Sequence, residues 1–259
     1  MDVSSTQDER GRPANDLLKK LESTAFERIK TSSYEFCCFM RDLYVPDDAI
    51  LVPPEDGWPQ ITTETFTILG KSDIVVNALK HMTYIEDKCT PFQYEILPET
   101  VMCDWRESST IHQLKAGKVD AVRIITERAP MSADVVGLTI GGRECAWILL
   151  DCRYGILEWK DSPEKSRAGP MVKDVGLFKV PEDCGWVDSS VEGTWIVEDF
   201  LEHIKDKFRT MKQLPRDAHK LIAYGDKDMD DVKAVYREHG WPDEFRKEEC
   251  AAAIAAIDT

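Results

Sequence analysis

The chain has 259 residues, of which 42% are hydrophobic and 31% are charged, a composition typical of a folded protein. Acidic residues outnumber basic ones by 48 to 33, and the net charge of -15 disfavours a nucleic-acid partner by repulsion. No stretch approaches the roughly 18–20 apolar residues that span a bilayer, and the polar start of the sequence has no leader pattern. We therefore expect a cytoplasmic protein without a membrane partner.

The eight cysteines are expected to be thiols, because a chain without a leader stays in a reducing compartment. Cys37 and Cys38 lie beside Phe36, and Cys145 and Cys152 flank the apolar run AWILLD. Cysteine in such surroundings behaves as a small buried hydrophobe. The spacing of these residues therefore predicts core positions and not a disulfide framework.

The first sixty residues predict helices and then a loop. Residues 1–13 are polar and are expected to form a disordered lead-in. Asn15 or Asp16 can cap a first helix, and a capping box at Ser32 predicts the start of a second. Residues 45–60, VPDDAILVPPEDGWPQ, contain four prolines and a glycine, which predict a long loop.

The middle of the chain carries the β signals. The alternation in TFTIL (65–69) predicts a strand, and Ser72 can cap a helix over SDIVVNALKHM. Residues 135–160 predict three strands, VVGLTI, AWILLD and YGILEW, in an antiparallel meander, since the connections are too short for crossover helices. VVGLTI and AWILLD are almost continuously apolar, as expected of strands covered on both faces.

The last third predicts a surface excursion over 162–193, followed by helices. WIVEDFLEHIKDKF, starting at Trp195, has an apolar face at helical spacing that should cover the meander. Two shorter helices should follow, over DDVKAVYREHG and CAAAIAAI. The fold class is thus α+β, with a central antiparallel sheet packed by helices. The predicted organisation is a single domain over 14–215 and a helical tail over 216–259 that packs on it.

The sequence contains no complete motif for binding a metal ion or a nucleotide cofactor. DKDMDD, starting at Asp226, resembles a calcium loop, but Asp231 stands where the loop needs glycine and Arg237 where it needs glutamate. The sequence contains no CxxC pair, no dinucleotide or phosphate-binding glycine loop and no GxSxG elbow. The pair Gly141-Gly142 fits tight hairpin geometry better than a nucleotide site. We predict no cofactor and no metal.

Two groups of residues combine polar chemistry with tryptophan. In the first, Arg143 lies on the hairpin before AWILLD and could grip a carboxylate or carbonyl beside Trp147 and Trp159.

In the second group, Asp104 and Arg106 flank Trp105. We predict Arg143, Asp104 and Arg106 as catalytic residues and the tryptophans at 105, 147 and 159 as substrate-binding residues. A solvated arginine and a local surface ion pair are the alternative interpretations.

Three segments resemble a family of uncharacterised filamentous-fungal proteins: VVGLTIGGRECAWILLDCRYGILEW, WIVEDFLEHIKDKFRTMKQLP and YREHGWPDEFRKEEC. In that family a GLT-GGR hairpin, a W-x-x-x-DF helix and a YREHGWPD tail recur in this order, and the likeness covers roughly residues 70–250. Some members of such fungal groups occur among biosynthetic enzymes for terpenoid or polyketide metabolites, including enzymes that steer cyclisations without a cofactor. The order of helices, meander and closing helix is also similar to the Smi1/Knr4 superfamily, whose members are mainly protein-interaction and immunity modules.

Two classes of function follow from these resemblances. The first is a cofactor-independent enzyme of fungal secondary metabolism, a cyclase or isomerase acting on a hydrophobic terpenoid or polyketide-type small molecule, with a pericyclic cycloaddition included. The second is a Smi1/Knr4-like interaction or regulatory module without catalysis, which would dock a basic partner on its acidic surface. A deep apolar pocket reaching Trp105, Arg143 or Trp147 would favour the enzyme, and a filled core with a flat acidic face would favour the module.

Overall fold

A computed structural model of the protein describes residues 12–86, 94–160, 194–223 and 225–258. Residues 1–11 of the predicted lead-in and the predicted excursion at 162–193 lie outside these ranges. The helices are α1 Arg12–Leu43, α2 Thr63–Ile68, α3 Asp73–His81, α4 Ser108–Lys115, α5 Val119–Thr126, α6 Val197–Arg209, α7 Met229–Glu238 and α8 Lys247–Ala255. The strands are β1 Ile50–Leu51, β2 Tyr84–Ile85, β3 Thr100–Met102, β4 Val135–Gly137, β5 Thr139–Gly141, β6 Ile148–Asp151, β7 Ile156–Trp159, β8 Thr194–Ile196, β9 Gln213–Pro215 and β10 Leu221–Ala223. The α+β class is confirmed.

The central sheet has the order β4-β6-β7-β8 and is antiparallel throughout, as the meander prediction requires. VVGLTI is not one strand, however. It divides at Leu138, so that β4 joins the central sheet while β5 pairs with β3. A Cβ on Gly141 would lie 2.0 Å from the carbonyl oxygen of Glu99. The glycine is therefore needed for the close approach of β3 to β5, and not only for a tight turn.

Both faces of the central sheet are covered, as the apolar runs predicted. Ile148, Leu150 and Leu157 belong to the main core, which also contains Phe200 of α6. The alternate residues of the same strands face a smaller cluster on the other side of the sheet. That cluster contains Leu21, Val135, Trp147, Leu149 and Ile156. Alternation of side chains along a strand thus divides one apolar run between two cores.

The predicted break between two N-terminal helices is wrong, because α1 is continuous from Arg12 to Leu43. Ser32, the predicted cap, lies inside this helix, and the hydroxyl of the neighbouring Ser33 donates to the Lys30 carbonyl (2.9 Å). The buried side chains follow helical spacing on both sides of this point. They are Leu21, Ala25, Ile29, Phe36, Met40 and Leu43.

The strand predicted for TFTIL is also wrong, because these residues form α2. Thr62 caps the helix by accepting a hydrogen bond from the Thr65 amide (3.3 Å), and Phe66 becomes fully buried. A segment of five residues is too short for its periodicity to distinguish strand from helix, and here packing decides. The helix predicted from Ser72 is confirmed as α3, with Ser72 as its cap.

Hydrogen bonds connect the C-terminal segment that contains α7 and α8 to the ends of α6 and α1. The predicted helix at Trp195 begins at Val197, since Trp195 and Ile196 pair with β7 as part of β8. The Trp241 indole, between α7 and α8, donates to the Phe208 carbonyl at the end of α6 (3.0 Å). The Lys247 ammonium donates to the carbonyls of Arg41 (2.7 Å) and Val45 (2.8 Å) at the end of α1. Two helix C-termini are therefore satisfied by the tail.

Candidate functional site

A cleft of about 990 Å³ lies where the turn between β5 and β6 meets the C-terminal end of α6 and one side of α7. Its apolar lining comes from five short segments. The apolar residues that form its walls are Leu97, Pro98, Cys145, Ala146, Trp159, Met211 and Ala223. A volume of this size is at the upper end of the range for small-molecule sites, which is about 300–1,000 Å³.

The charge of the lining is opposite to that of the whole chain. Five of the lining residues are basic and one, Glu144, is acidic. The basic residues are Arg128, Arg143, Lys207, Lys212 and Lys233. Among the described residues, the lining is therefore mostly basic, in contrast to the net charge of -15 of the whole chain.

Buried threonines hold the turn that forms one wall. The amide of Ala146 donates to Thr100 Oγ1 (2.8 Å), and the carbonyl of Ala146 accepts from Thr139 Oγ1 (2.7 Å). Across the cleft, the Gln213 side-chain amide donates to the Ile96 carbonyl (2.9 Å). The backbone of both walls is therefore fixed by hydrogen bonds that are themselves buried.

Arg128 has the best-defined orientation among the basic side chains of the cleft. Its Nη2 donates to the Cys145 carbonyl (2.7 Å) and lies 3.1 Å from the Cys145 sulfur. Its guanidinium carbon lies 5.6 Å from the ring centroid of Trp147. A guanidinium fixed on an aromatic face and a carbonyl keeps its position without reorganisation.

Of the first predicted group, Arg143 and Trp159 line the same cleft. The Arg143 side chain is 95% exposed, with its Nε 3.6 Å from a Glu144 carboxylate oxygen. Trp159 is buried and lies 5.5 Å from the ammonium of Lys207. Trp147 is buried in the smaller core and meets the cleft through the guanidinium of Arg128. The structure thus brings two of the three residues to one surface, and their roles stay predictions.

The second predicted group lies elsewhere in the fold and does not line this cleft. Arg106 forms a two-pronged ion pair with Asp104, at 3.0 Å and 2.7 Å, and its guanidinium stacks 4.3 Å from the ring centroid of Trp58. Trp105 is buried and donates to the Gly137 carbonyl (2.9 Å). Burial raises the pKa of Asp104, while the hydrogen bonds from Arg106 act in the opposite direction.

Arg128, Lys207, Lys212 and Lys233 have no place in the sequence interpretation. No spacing rule relates residues that converge from different elements, which explains why pattern reading missed them. Arg128 follows the end of α5 in the position where helices often carry glycine, and an arginine at that position gives no sequence signal of a role in the cleft. Arg128 takes up the left-handed conformation there with φ of 57°.

Metal-ligand geometry is not found within the described ranges, where no three His, Cys, Asp or Glu side chains are grouped to hold an ion. Asp226 instead accepts a hydrogen bond from the Ala223 amide (2.7 Å), and Asp230 and Asp231 lie in the first turn of α7.

The six cysteines among the described residues are free thiols, and Cys89 and Cys184 lie outside those residues. Over the same ranges, no helix combines the length and apolar character needed to cross a bilayer.

No protein-family model, curated protein or solved structure matches the chain. The resemblances to the filamentous-fungal family and to the Smi1/Knr4 superfamily therefore stay predictions.

Proposed function

We propose that the protein is a cofactor-independent enzyme that binds a hydrophobic small molecule with a carbonyl or carboxylate group in the cleft and steers its cyclisation or isomerisation. The observation that carries the proposal is the cleft of about 990 Å³, in which Arg128 and Arg143 meet a wall containing Trp159. A terpenoid or polyketide-type intermediate would suit such a mixed lining, since its carbon skeleton is apolar and its oxygens are few.

Two effects would supply the rate. The apolar walls would restrict a flexible substrate to its reactive conformer, which converts conformational freedom into proximity of the reacting carbons. A guanidinium would then stabilise the negative charge that develops on the substrate oxygen. Arg128 suits this role best because its orientation is fixed by Cys145 and Trp147. Arg143 is the second donor, since its side chain is exposed at the rim.

The cleft supports this enzyme over an interaction module, for which a filled core with a flat acidic face would be expected. The proposal places the activity in the cytoplasm, where thiols such as the buried Cys145 stay reduced. Asp104 and Arg106 are not assigned a step, because their polar atoms already bond to each other. Their predicted catalytic role would require that pair to open.

The test begins with native mass spectrometry of the purified protein to identify co-purifying small molecules. Those molecules and a panel of polyene carbonyl compounds would then be assayed for isomerised or cyclised products. Arg128→Lys keeps the charge but loses the fork geometry and should reduce the rate by about 10²–10³ fold, the loss typical of one well-aimed donor. Arg143→Ala should give a smaller loss.

Arg237→Ala is the matched control, because Arg237 is an exposed arginine of α7 outside the cleft. It should retain the full rate. The proposal is wrong if the folded wild type gives no acceleration over the uncatalysed background with any compound, or if Arg128→Lys and Arg143→Ala both keep the wild-type rate.

A further inference from the structure

A second cavity, the tail pocket, lies where the end of α1 meets the C-terminal helices. Its volume is about 420 Å³, inside the range of about 300–1,000 Å³ for small-molecule sites. The lining comes from the end of α1, the segment before β3, the turn between β9 and β10, and helices α7 and α8. Among the described residues, the cleft and the tail pocket share no lining residue. The tail pocket is therefore a separate site.

Four aromatic side chains form much of the wall of the tail pocket. The ring of Tyr44 meets that of Tyr94 edge to face, with 6.0 Å between the centroids. The rings of Tyr236 and Phe245 are stacked in nearly parallel planes, with centroids 5.5 Å apart. Paired rings hold each other in place, and their faces and edges suit contact with a further flat ring.

Two of these aromatic residues carry hydroxyls that already bond to the backbone. The Tyr44 hydroxyl donates to the Glu95 carbonyl (2.8 Å), and the Tyr236 hydroxyl donates to the Pro215 carbonyl (3.2 Å). Burial raises the pKa of Tyr44 and that of Tyr236 well above the ordinary value. Both phenols therefore stay neutral, and the protein itself uses their one donor hydrogen.

The charged side chains of the lining also bond to the backbone. Nη1 of Arg216 donates to the Ile254 carbonyl (3.0 Å), and the Lys247 ammonium donates to two carbonyls at the end of α1. Asp217 accepts a hydrogen bond from the His219 amide (2.6 Å). An ionic ligand would compete with these contacts, whereas a neutral ring needs only the aromatic walls. The chemistry of the lining therefore favours a neutral ligand.

Backbone strain occurs in the wall of the pocket. Tyr94 has a φ of 59°, a left-handed conformation that costs energy for a tyrosine and that is concentrated at functional sites. Its amide donates to the carbonyl of Ala218 in the turn between β9 and β10 (2.7 Å). Two lining residues thus hold each other, and the fold keeps the ring of Tyr94 beside Tyr44 in spite of the strain.

We infer that the tail pocket binds a neutral aromatic small molecule with two fused rings, which stabilises the packing of α7 and α8 on the end of α1. An apolar cavity of about 150 Å³ is enough to hold benzene, so about 420 Å³ leaves space for two fused rings. A small molecule is a better occupant than a protein partner, because a standard interface buries about 800 Å² on each side and extends well beyond one pocket. The inference is independent of the function proposed for the cleft.

The test is isothermal titration calorimetry with 2-naphthol, a neutral probe with two fused rings. 2-Naphthoate carries a charge on the same frame, and cyclohexanol is a neutral probe without an aromatic ring. We expect 2-naphthol to bind with Kd below about 1 mM. 2-Naphthoate should bind at least about tenfold more weakly, because its carboxylate has to lose hydration. Cyclohexanol should not bind in this concentration range.

Two neighbouring alanines provide the blocking variant and its control. Ala251 and Ala252 are both exposed on α8, and of the two only Ala251 lines the pocket. Ala251→Trp should fill the pocket with its own indole and weaken the binding of 2-naphthol by at least about tenfold. Ala252→Trp makes the same change one position later and should bind like the wild type.

Hydrogen exchange of the wild type locates the probe without a variant. 2-Naphthol should slow the exchange of amides in α8 and at residues 43–46, since the ligand would join these segments. Exchange in α5 should stay unchanged. Protection confined to the turn between β5 and β6 would place the probe in the cleft and would overturn the inference.

Four further results would overturn it. They are no binding of 2-naphthol at about 1 mM, equal affinity for 2-naphthoate, wild-type affinity of Ala251→Trp, and an equal loss in Ala252→Trp. Protection of α8 that increases with protein concentration in the absence of a probe would show that a second copy of the chain occupies the pocket. That result would also remove the small-molecule site.

Discussion

Glu127 and Arg128 are neighbours at the end of α5, yet their charges lie in opposite surroundings. The Glu127 side chain is fully buried, and its Oε1 lies 2.7 Å from the ammonium of the equally buried Lys71. Arg128 lines the cleft with four other basic residues and a single acidic one. The charge of Glu127 is thus matched inside the core, whereas Arg128 lies at a cleft whose described lining is mostly basic. The first arrangement specifies the fold, and the second is suited to a ligand.

The interior pair should give the largest effect. Burial raises the pKa of Glu127 and lowers that of Lys71, while each partner opposes the shift of the other. Lys71→Met should reduce the free energy of unfolding by about 3–5 kcal/mol, because it leaves the buried Glu127 carboxylate with only the more distant Arg123, whose Nε lies 3.9 Å away. Chemical denaturation at pH 7 measures this loss.

The double variant Lys71→Met/Glu127→Leu should recover most of that stability, since a well-packed apolar pair can replace a buried ion pair. A loss below about 1 kcal/mol in the single variant would contradict the interpretation of this pair as a fold determinant.

The second interior pair should have a slightly smaller effect. Arg106→Ala removes the two-pronged contact with buried Asp104 and the stacking on Trp58. We expect a loss of about 2–4 kcal/mol in chemical denaturation. Arg106→Lys, which retains the charge but not the fork, should lie between the wild type and the alanine variant. Equal stability of all three proteins would show that Asp104 and Arg106 are held for another purpose, as their predicted catalytic role would require.

Asp151 is an interior carboxylate whose hydrogen bonds come from backbone amides of the following turn, at Arg153 and Tyr154. Burial raises its pKa from 3.8 to about 6. Because the folded state holds this proton more tightly than the unfolded state, the group destabilises the protein as pH rises from about 4 to about 6. The full effect is about 3 kcal/mol, at 1.36 kcal/mol for each pKa unit.

Asp151→Asn keeps an oxygen that accepts both amide bonds and removes the titration. The difference in unfolding free energy between variant and wild type should therefore shift in favour of asparagine between pH 4 and pH 7 and then stay constant. Urea denaturation across this range measures it. A difference that does not change with pH would mean that the burial of Asp151 has no electrostatic cost.

The cleft should show the smallest effect on stability. Arg143→Ala removes a side chain that is 95% exposed, and the free energy of unfolding should change by less than about 0.5 kcal/mol. Thermal melts of the wild type and the variant would measure the difference. A loss above about 1 kcal/mol would mean that Arg143 supports the turn, and the contrast between interior and cleft charges would weaken.

Sequence patterns predicted the elements in which burial follows a regular period. Strands β4, β6 and β7, α3 with its cap at Ser72 and the apolar face of α6 are of this kind, whereas β8 was predicted as the start of the helix. Patterns failed where several local signals compete, as in α2, where the burial of Phe66 outweighs the alternation of threonines. Within the candidate site, Arg143 and Trp159 were predicted together because they lie near one hairpin. Arg128, Lys212 and Lys233 were not predicted, since only the tertiary fold brings them together.

The contact between Lys247 and the end of α1 has a consequence for the nascent protein. The ammonium of Lys247 bonds to the Arg41 carbonyl across 206 positions of sequence. Ribosomes add about 5–20 residues each second. The segment that contains Lys247 is therefore translated roughly 10–40 s after the C-terminal end of α1. The apolar stripe of α1 is synthesised first and covered late. We therefore expect α1 to be a principal site of chaperone contact during synthesis.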